Sequence, residues 1–82
     1  MIIKIFIQPG CPSCPPVKEL GEKLKEKINV EFYDVSKSEG LAEAAMYNIM
    51  STPVMILLDN NKVVKTWLDA PSEKEILKLI NK

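Results

Sequence analysis

Apolar residues recur with two different periods along this chain. Ile2 to Ile7 is an apolar, β-branched run closed by Pro9 and Gly10. Such a run suits a central strand buried on both faces. The period then changes. Val17, Leu20, Leu24 and Ile28 recur at three- and four-residue steps and make one apolar stripe, predicting a helix from about Pro12 to about Lys27. Pro12, Pro15 and Pro16 fall near its first turn, where a missing N–H costs least. Gly21 is either a mild weakness in that helix or a point of close approach to a sheet.

Val30 to Val35 alternates in part and reads as a second strand. Ser36-Lys37-Ser38-Glu39 has the spacing of a capping box, so a short helix should open there, with Leu41, Ala44, Ala45 and Ile49 on one side. Pro53 to Leu58 is a continuous apolar run, expected as another central strand. Asp59-Asn60-Asn61-Lys62 is a hairpin signal, because asparagine tolerates positive φ. Val63 to Leu68 is its partner strand. Ser72-Glu73-Lys74-Glu75 is a second capping box, opening a last helix with Ile76, Leu77, Leu79 and Ile80. The order is β-α-β-α-β-β-α. Its first three elements form a βαβ unit, so the first two strands should be parallel with a right-handed crossover. No repeat, linker or low-complexity segment interrupts it, and a single domain over residues 1–82 is expected.

Composition narrows the function. Lysines and acids number 11 each, and there is no arginine or histidine. Neutrality without arginine argues against nucleic acid, whose affinity for proteins comes largely from cations meeting phosphates. It also argues against bidentate recognition of carboxylates or phosphates. No apolar run approaches the ~20 residues of a membrane span. The opening run is short for a signal sequence and lacks its basic flank, so a cytoplasmic protein is expected, with no membrane partner.

The only two cysteines stand in Cys11-Pro12-Ser13-Cys14, between the first strand and the first helix. The loop they close is too small to stabilise a fold by much. In a reducing compartment such a pair is more often catalytic or metal-binding. Cys11 stands where helix N–H groups and the positive dipole end stabilise a thiolate, the nucleophile of disulfide exchange. On this reading Cys11 attacks a substrate disulfide, and Cys14, one turn on and less exposed, resolves the mixed disulfide. The alternative is a metal or iron–sulfur carrier. Such sites usually need four soft or imidazole ligands, so two thiols would suffice only in a thiol-bridged dimer or with an external thiol.

Cys11-Pro12-Ser13-Cys14 after a first strand, then Thr52-Pro53 before a third, in the order given above, resembles the thioredoxin/glutaredoxin superfamily. The size and the stretches Tyr47 to Pro53 and Ala70-Pro71-Ser72 are similar to its glutaredoxin-sized thioredoxins. The resemblance spans essentially the whole chain. It implies an α/β thioredoxin-like fold, a four-stranded mixed sheet with helices on both faces. It implies Cys11 as nucleophile, Cys14 as resolver and a redox-active Cys11–Cys14 disulfide with no bound cofactor or metal. It also implies a cis Pro53 packed against the pair, and a Thr52 backbone that holds an extended substrate segment by strand addition. Pro12, Ser13 and Ala70 complete the implied substrate contacts.

The departures matter. Gly10 stands where larger thioredoxins have a tryptophan. Ile5 aligns with their buried aspartate, so another base must take the proton of Cys14. Gln8, Ser13 and Leu68-Asp69-Ala70 stand where glutathione-using glutaredoxins carry a basic residue, an aromatic and a paired glycine. Disulfide-containing proteins are therefore favoured over glutathione as substrates, a thioredoxin-reductase-type flavoenzyme is the expected electron donor, and a monomer is expected. Lys18 reads as a solvated surface lysine, with weak support of the thiolate as a second reading. Trp67 reads as packing over a helix. Met46, Met50 and Met55 read as core or near-core, Met50 with a second reading in a substrate groove. Tyr33 and Asp34 read as a polar strand exit.

Overall fold

The structure, a computed structural model, describes residues 1–12, 14–68 and 70–80. Its elements are β1 (Ile2–Ile7), α1 (Cys14–Leu24), β2 (Asn29–Asp34), α2 (Ser38–Met46), β3 (Val54–Asp59), β4 (Lys62–Trp67) and α3 (Glu73–Ile80). The four strands form one sheet in the order β2-β1-β3-β4. β1 is parallel to β2, and β3 is antiparallel to both β1 and β4. The two most apolar runs thus take the two central places, as strands buried on both faces should.

Alternation along β1 and β3 divides the core. Ile3, Ile5, Met55 and Leu57 face α1 and α3, where they pack with Val17, Leu24, Trp67 and Ile76. Phe6, Val54, Ile56 and Leu58 face α2, where the one buried helical partner is Ala44. Gly21 is a point of close approach: a Cβ there would collide with the Ile5 side chain and lie 2.8 Å from the Phe32 ring. Ile5 and Phe32 are register partners on β1 and β2, so this part of the interior is wholly apolar.

Several boundaries differ from the sequence expectation. The first helix starts at Cys14 rather than Pro12 and ends at Leu24. Lys27 and Ile28 both turn their N–H groups back onto the Leu24 carbonyl, at 2.9 and 3.0 Å, which closes the helix early and drops Ile28 onto the core. The capping box at Ser36 does not form. The Ser36 amide and hydroxyl both donate to Asp34 Oδ1, at 2.9 and 2.6 Å, and α2 begins two residues later without a side-chain cap. A turn of this kind competes directly with a helix start. The box at Ser72 does form its first half, with the Glu75 N–H donating to Ser72 Oγ at 3.2 Å. Its second half is spent elsewhere, because the Trp67 indole donates to the Glu75 carboxylate at 2.6 Å.

The stripe expected on α2 is also narrower. Leu41 is 60% exposed and Ala45 is exposed. Of the methionines expected near the core, Met55 is fully buried, whereas Met46 is 71% and Met50 94% exposed. With Phe6, Tyr33 and Tyr47 already filling that face, α2 has only a short apolar edge to bury. The hairpin forms as expected, with Asn60 and Asn61 at φ of 52° and 68°.

Candidate active site

Parallel β1 and β2 end side by side, and their register closes on Ile7 beside Asp34. The chain leaving β1 turns through Gly10, at φ 77°, into α1. A substituent there would meet nothing within 4 Å, so the glycine leaves open space beside the pair as well as making the turn. Cys11 and Cys14 follow, joined as a disulfide with Cα atoms 5.4 Å apart, an ordinary span for such a bond. Cys14 is buried, at 6% exposure, and Cys11 is half-buried. Exposure therefore ranks the two sulfurs in the order the sequence suggests.

The helix end supplies fewer donors than its position implies. The Cys14 N–H is turned to the Cys11 carbonyl at 3.3 Å, and Pro12, Pro15 and Pro16 have no N–H. Charge near the sulfurs then comes from side chains. One open cavity, about 470 Å³, is bordered by Gln8, Gly10, Cys11, Cys14, Lys18 and Asp34. Asp34 is held below the usual carboxylate range by its two bonds from Ser36 and by nearby Lys37.

The second half of the site arrives from β3. Val54 pairs with Phe6, so the chain entering β3 and the chain leaving β1 meet at one end of the sheet. The peptide bond between Thr52 and Pro53 is cis, as the resemblance implies. Pro53 is buried and Thr52 half-buried. Thr52 borders a smaller cavity, about 140 Å³, with Gln8, Val35, Ile49 and the exposed Met50. Gln8 borders both cavities.

The structure thus brings Cys11, Pro12, Cys14, Thr52 and Pro53 to one end of the sheet. Pro12 is exposed beside the pair. Ala70 packs against the α1–α3 core and borders neither cavity. Ser13, and Asp69 of the stretch compared with glutaredoxins, lie outside the described residues. Gln8 and Val35 carry no site motif in the sequence, where Asp34 reads as a strand exit. Their common signal is position at the carboxyl ends of adjacent strands, where α/β sheets gather their ligands. Among the described residues no group of three or more histidine, cysteine or acidic side chains is arranged to hold a metal, and no helix is long and apolar enough to cross a membrane.

A buried Cys14 bonded to a half-buried Cys11 at the head of a helix, at the sheet end that also carries a cis-proline, defines a thiol–disulfide oxidoreductase of thioredoxin-like fold. The thioredoxin-domain family model matches residues 1–81, and the chain belongs to that family. A probable thioredoxin of Archaeoglobus fulgidus is 30% identical over 84 residues, covering 100% of this chain and 88% of the relative. Thioredoxin of Bacillus subtilis is 26% identical, covering 100% and 81%. Glutaredoxin 1 of Salmonella typhimurium is 37% identical over 57 residues, covering 66% and 64%. Among solved structures, thioredoxin 1 of Thermosipho africanus superposes with a TM-score of 0.71 at 24% identity, covering 100% of both chains. A mutant thioredoxin of Halobacterium salinarum gives 0.81 at 22% identity, covering 98% and 71%. These two establish likeness of fold.

Proposed function

We propose that this chain reduces disulfides of other proteins through a Cys11/Cys14 dithiol–disulfide cycle. The Cys11 thiolate attacks one substrate sulfur, forming a mixed disulfide and releasing the other sulfur as a thiolate. The Cys14 thiolate then attacks Cys11, closes the Cys11–Cys14 bridge and releases the second substrate sulfur. Two electrons pass from the pair to the substrate, and no bound cofactor is needed. A thioredoxin-reductase-type flavoenzyme returns the electrons. The observation that carries this reading is the difference in burial between two bonded cysteines at the end of the sheet that also carries Thr52-Pro53.

Thr52 offers its backbone to an extended segment of substrate, with Pro12 exposed beside the pair. A protein segment suits the site better than glutathione, because no arginine stands in the chain to pair with the tripeptide's carboxylates. We place the protein in the cytoplasm, working as a monomer. The test is reduction of insulin by dithiothreitol, under chelation, with wild type and Cys11→Ser compared. Acceleration by wild type alone is expected. Equal acceleration by both would sink the nucleophile assignment, and acceleration by neither would turn attention to metal binding.

A further inference from the structure

Cys14 must lose a proton before it can attack, and its burial opposes that loss, since desolvation disfavours a thiolate. Among the described residues no polar or charged side chain is buried in the core to take that proton. The cavity on its open side is different. Its walls carry one carboxylate, Asp34, and one ammonium, Lys18, together with both sulfurs. The two charges are not paired with each other within 4 Å, although both belong to the described residues.

We propose that Asp34 is the proton acceptor for Cys14. The register that sets Asp34 beside Ile7 brings the carboxylate to the turn carrying the pair. Only Oδ1 is engaged with Ser36, which leaves Oδ2 for a water in the open cavity. The proton passes from Cys14 Sγ through that water to Asp34. The Cys14 thiolate attacks Cys11 Sγ, the Cys11–Cys14 bond forms and the bond from Cys11 to the substrate sulfur breaks. The departing thiolate takes up the proton, so Asp34 ends as it began and no outside reactant is consumed. Lys18 faces the same cavity, and Lys37 and Glu39 border the other side of Asp34 with Tyr33. The bonds from Ser36 lower the proton affinity of Asp34, so it holds the Cys14 proton only in passing, before the departing thiolate takes it up.

This role belongs to the resolving half of the cycle proposed above, and it can be read without a protein substrate. Reduced protein mixed with Ellman's reagent releases thionitrobenzoate twice, first as Cys11 attacks the reagent and then as Cys14 expels the label from Cys11. Near pH 6, Asp34→Asn should slow the second phase about a hundredfold, at the low end of what a positioned base supplies, and leave the first phase unchanged. Near pH 10, where a thiol ionises unaided, the two proteins should converge. Asp34→Glu should recover part of the rate. Asparagine can keep the turn at Ser36, so a fold defect is not the expected cause.

An unchanged second phase would overturn the proposal. So would a faster one, since removing a negative charge that merely opposes the thiolate would speed the attack. Absence of a second phase in wild type would end both this proposal and the cycle. A normal second phase without insulin reduction would overturn only the reading of protein substrates.

Discussion

Leu57 and Leu58 are neighbours on β3, point to opposite faces of one sheet and are each almost fully buried. What covers them differs. Over Leu57 lie α1 and α3, with Val17, Leu24, Ile76 and the body of Trp67. Over Leu58 lies α2 alone, whose short apolar edge leaves Leu41 and Met46 in solvent. The second face is completed by a polar inlay. Lys4 Nζ donates to Glu43 at 3.0 Å and stands 5.4 and 5.2 Å from the Tyr33 and Tyr47 ring centres. The same sheet thus has one face held by volume and another held partly by charge. The pair and the cis-proline loop sit at the end where both faces meet.

The largest effect expected from this contrast is in the core. Leu57→Ala should cost about 3–5 kcal/mol and Leu58→Ala about 2–3 kcal/mol in denaturant unfolding, within the range for buried leucines but ordered by how far each face can relax. Equal costs, or the reverse order, would break the comparison.

A smaller effect concerns the inlay. A double-mutant cycle on Lys4 and Glu43 should give a coupling of about 1 kcal/mol, near the upper end for a partly exposed pair. Burial alone would lower the proton affinity of Lys4, but Glu43, Tyr47 and Tyr33 outweigh it and raise the ammonium above its usual value. Burial and the bond to Glu31 push Tyr33 up to about 12. Both groups hold their protons more firmly when folded. Their stabilisation is therefore complete below the ordinary values of 10.5 and 10.0, and is lost as pH rises through the folded ones. The coupling should fade on alkaline titration. A coupling insensitive to salt would show that the inlay is held by packing instead.

The smallest effect lies at the edge of the first face. The Trp67 indole, ahead of Lys65, holds Glu75 below its ordinary value of 4.5. That contribution is present above 4.5 and disappears as pH falls through the lower folded value. Trp67→Phe should therefore lower the melting temperature slightly at neutral pH, with the gap to wild type narrowing in acid. A gap that stays constant with pH would remove Glu75 from the account.

Most of the fold was legible because its strongest signals are local. The runs at β1 and β3, the stripe on α1 and the two asparagines of the hairpin each carry their own period or backbone preference. What was not legible depended on competition between neighbours. Ser36 matched a helix cap, but Asp34 lay two residues away and took both its donors. Leu41 and Ala45 matched an apolar stripe, but aromatic residues had filled the space. At the site, the sequence marked Cys11, Cys14 and Thr52-Pro53 by residue type. It could not mark Asp34, whose place beside the pair follows from strand register.

The measurement that bears most directly on the account is mass analysis of Cys14→Ser after incubation with a disulfide-containing protein under chelation. The account predicts a covalent adduct, reversible by dithiothreitol and mapped to Cys11, that wild type does not accumulate. No adduct, with Cys11 still free and accessible to alkylation, would contradict the assignment of Cys11 as the attacking sulfur.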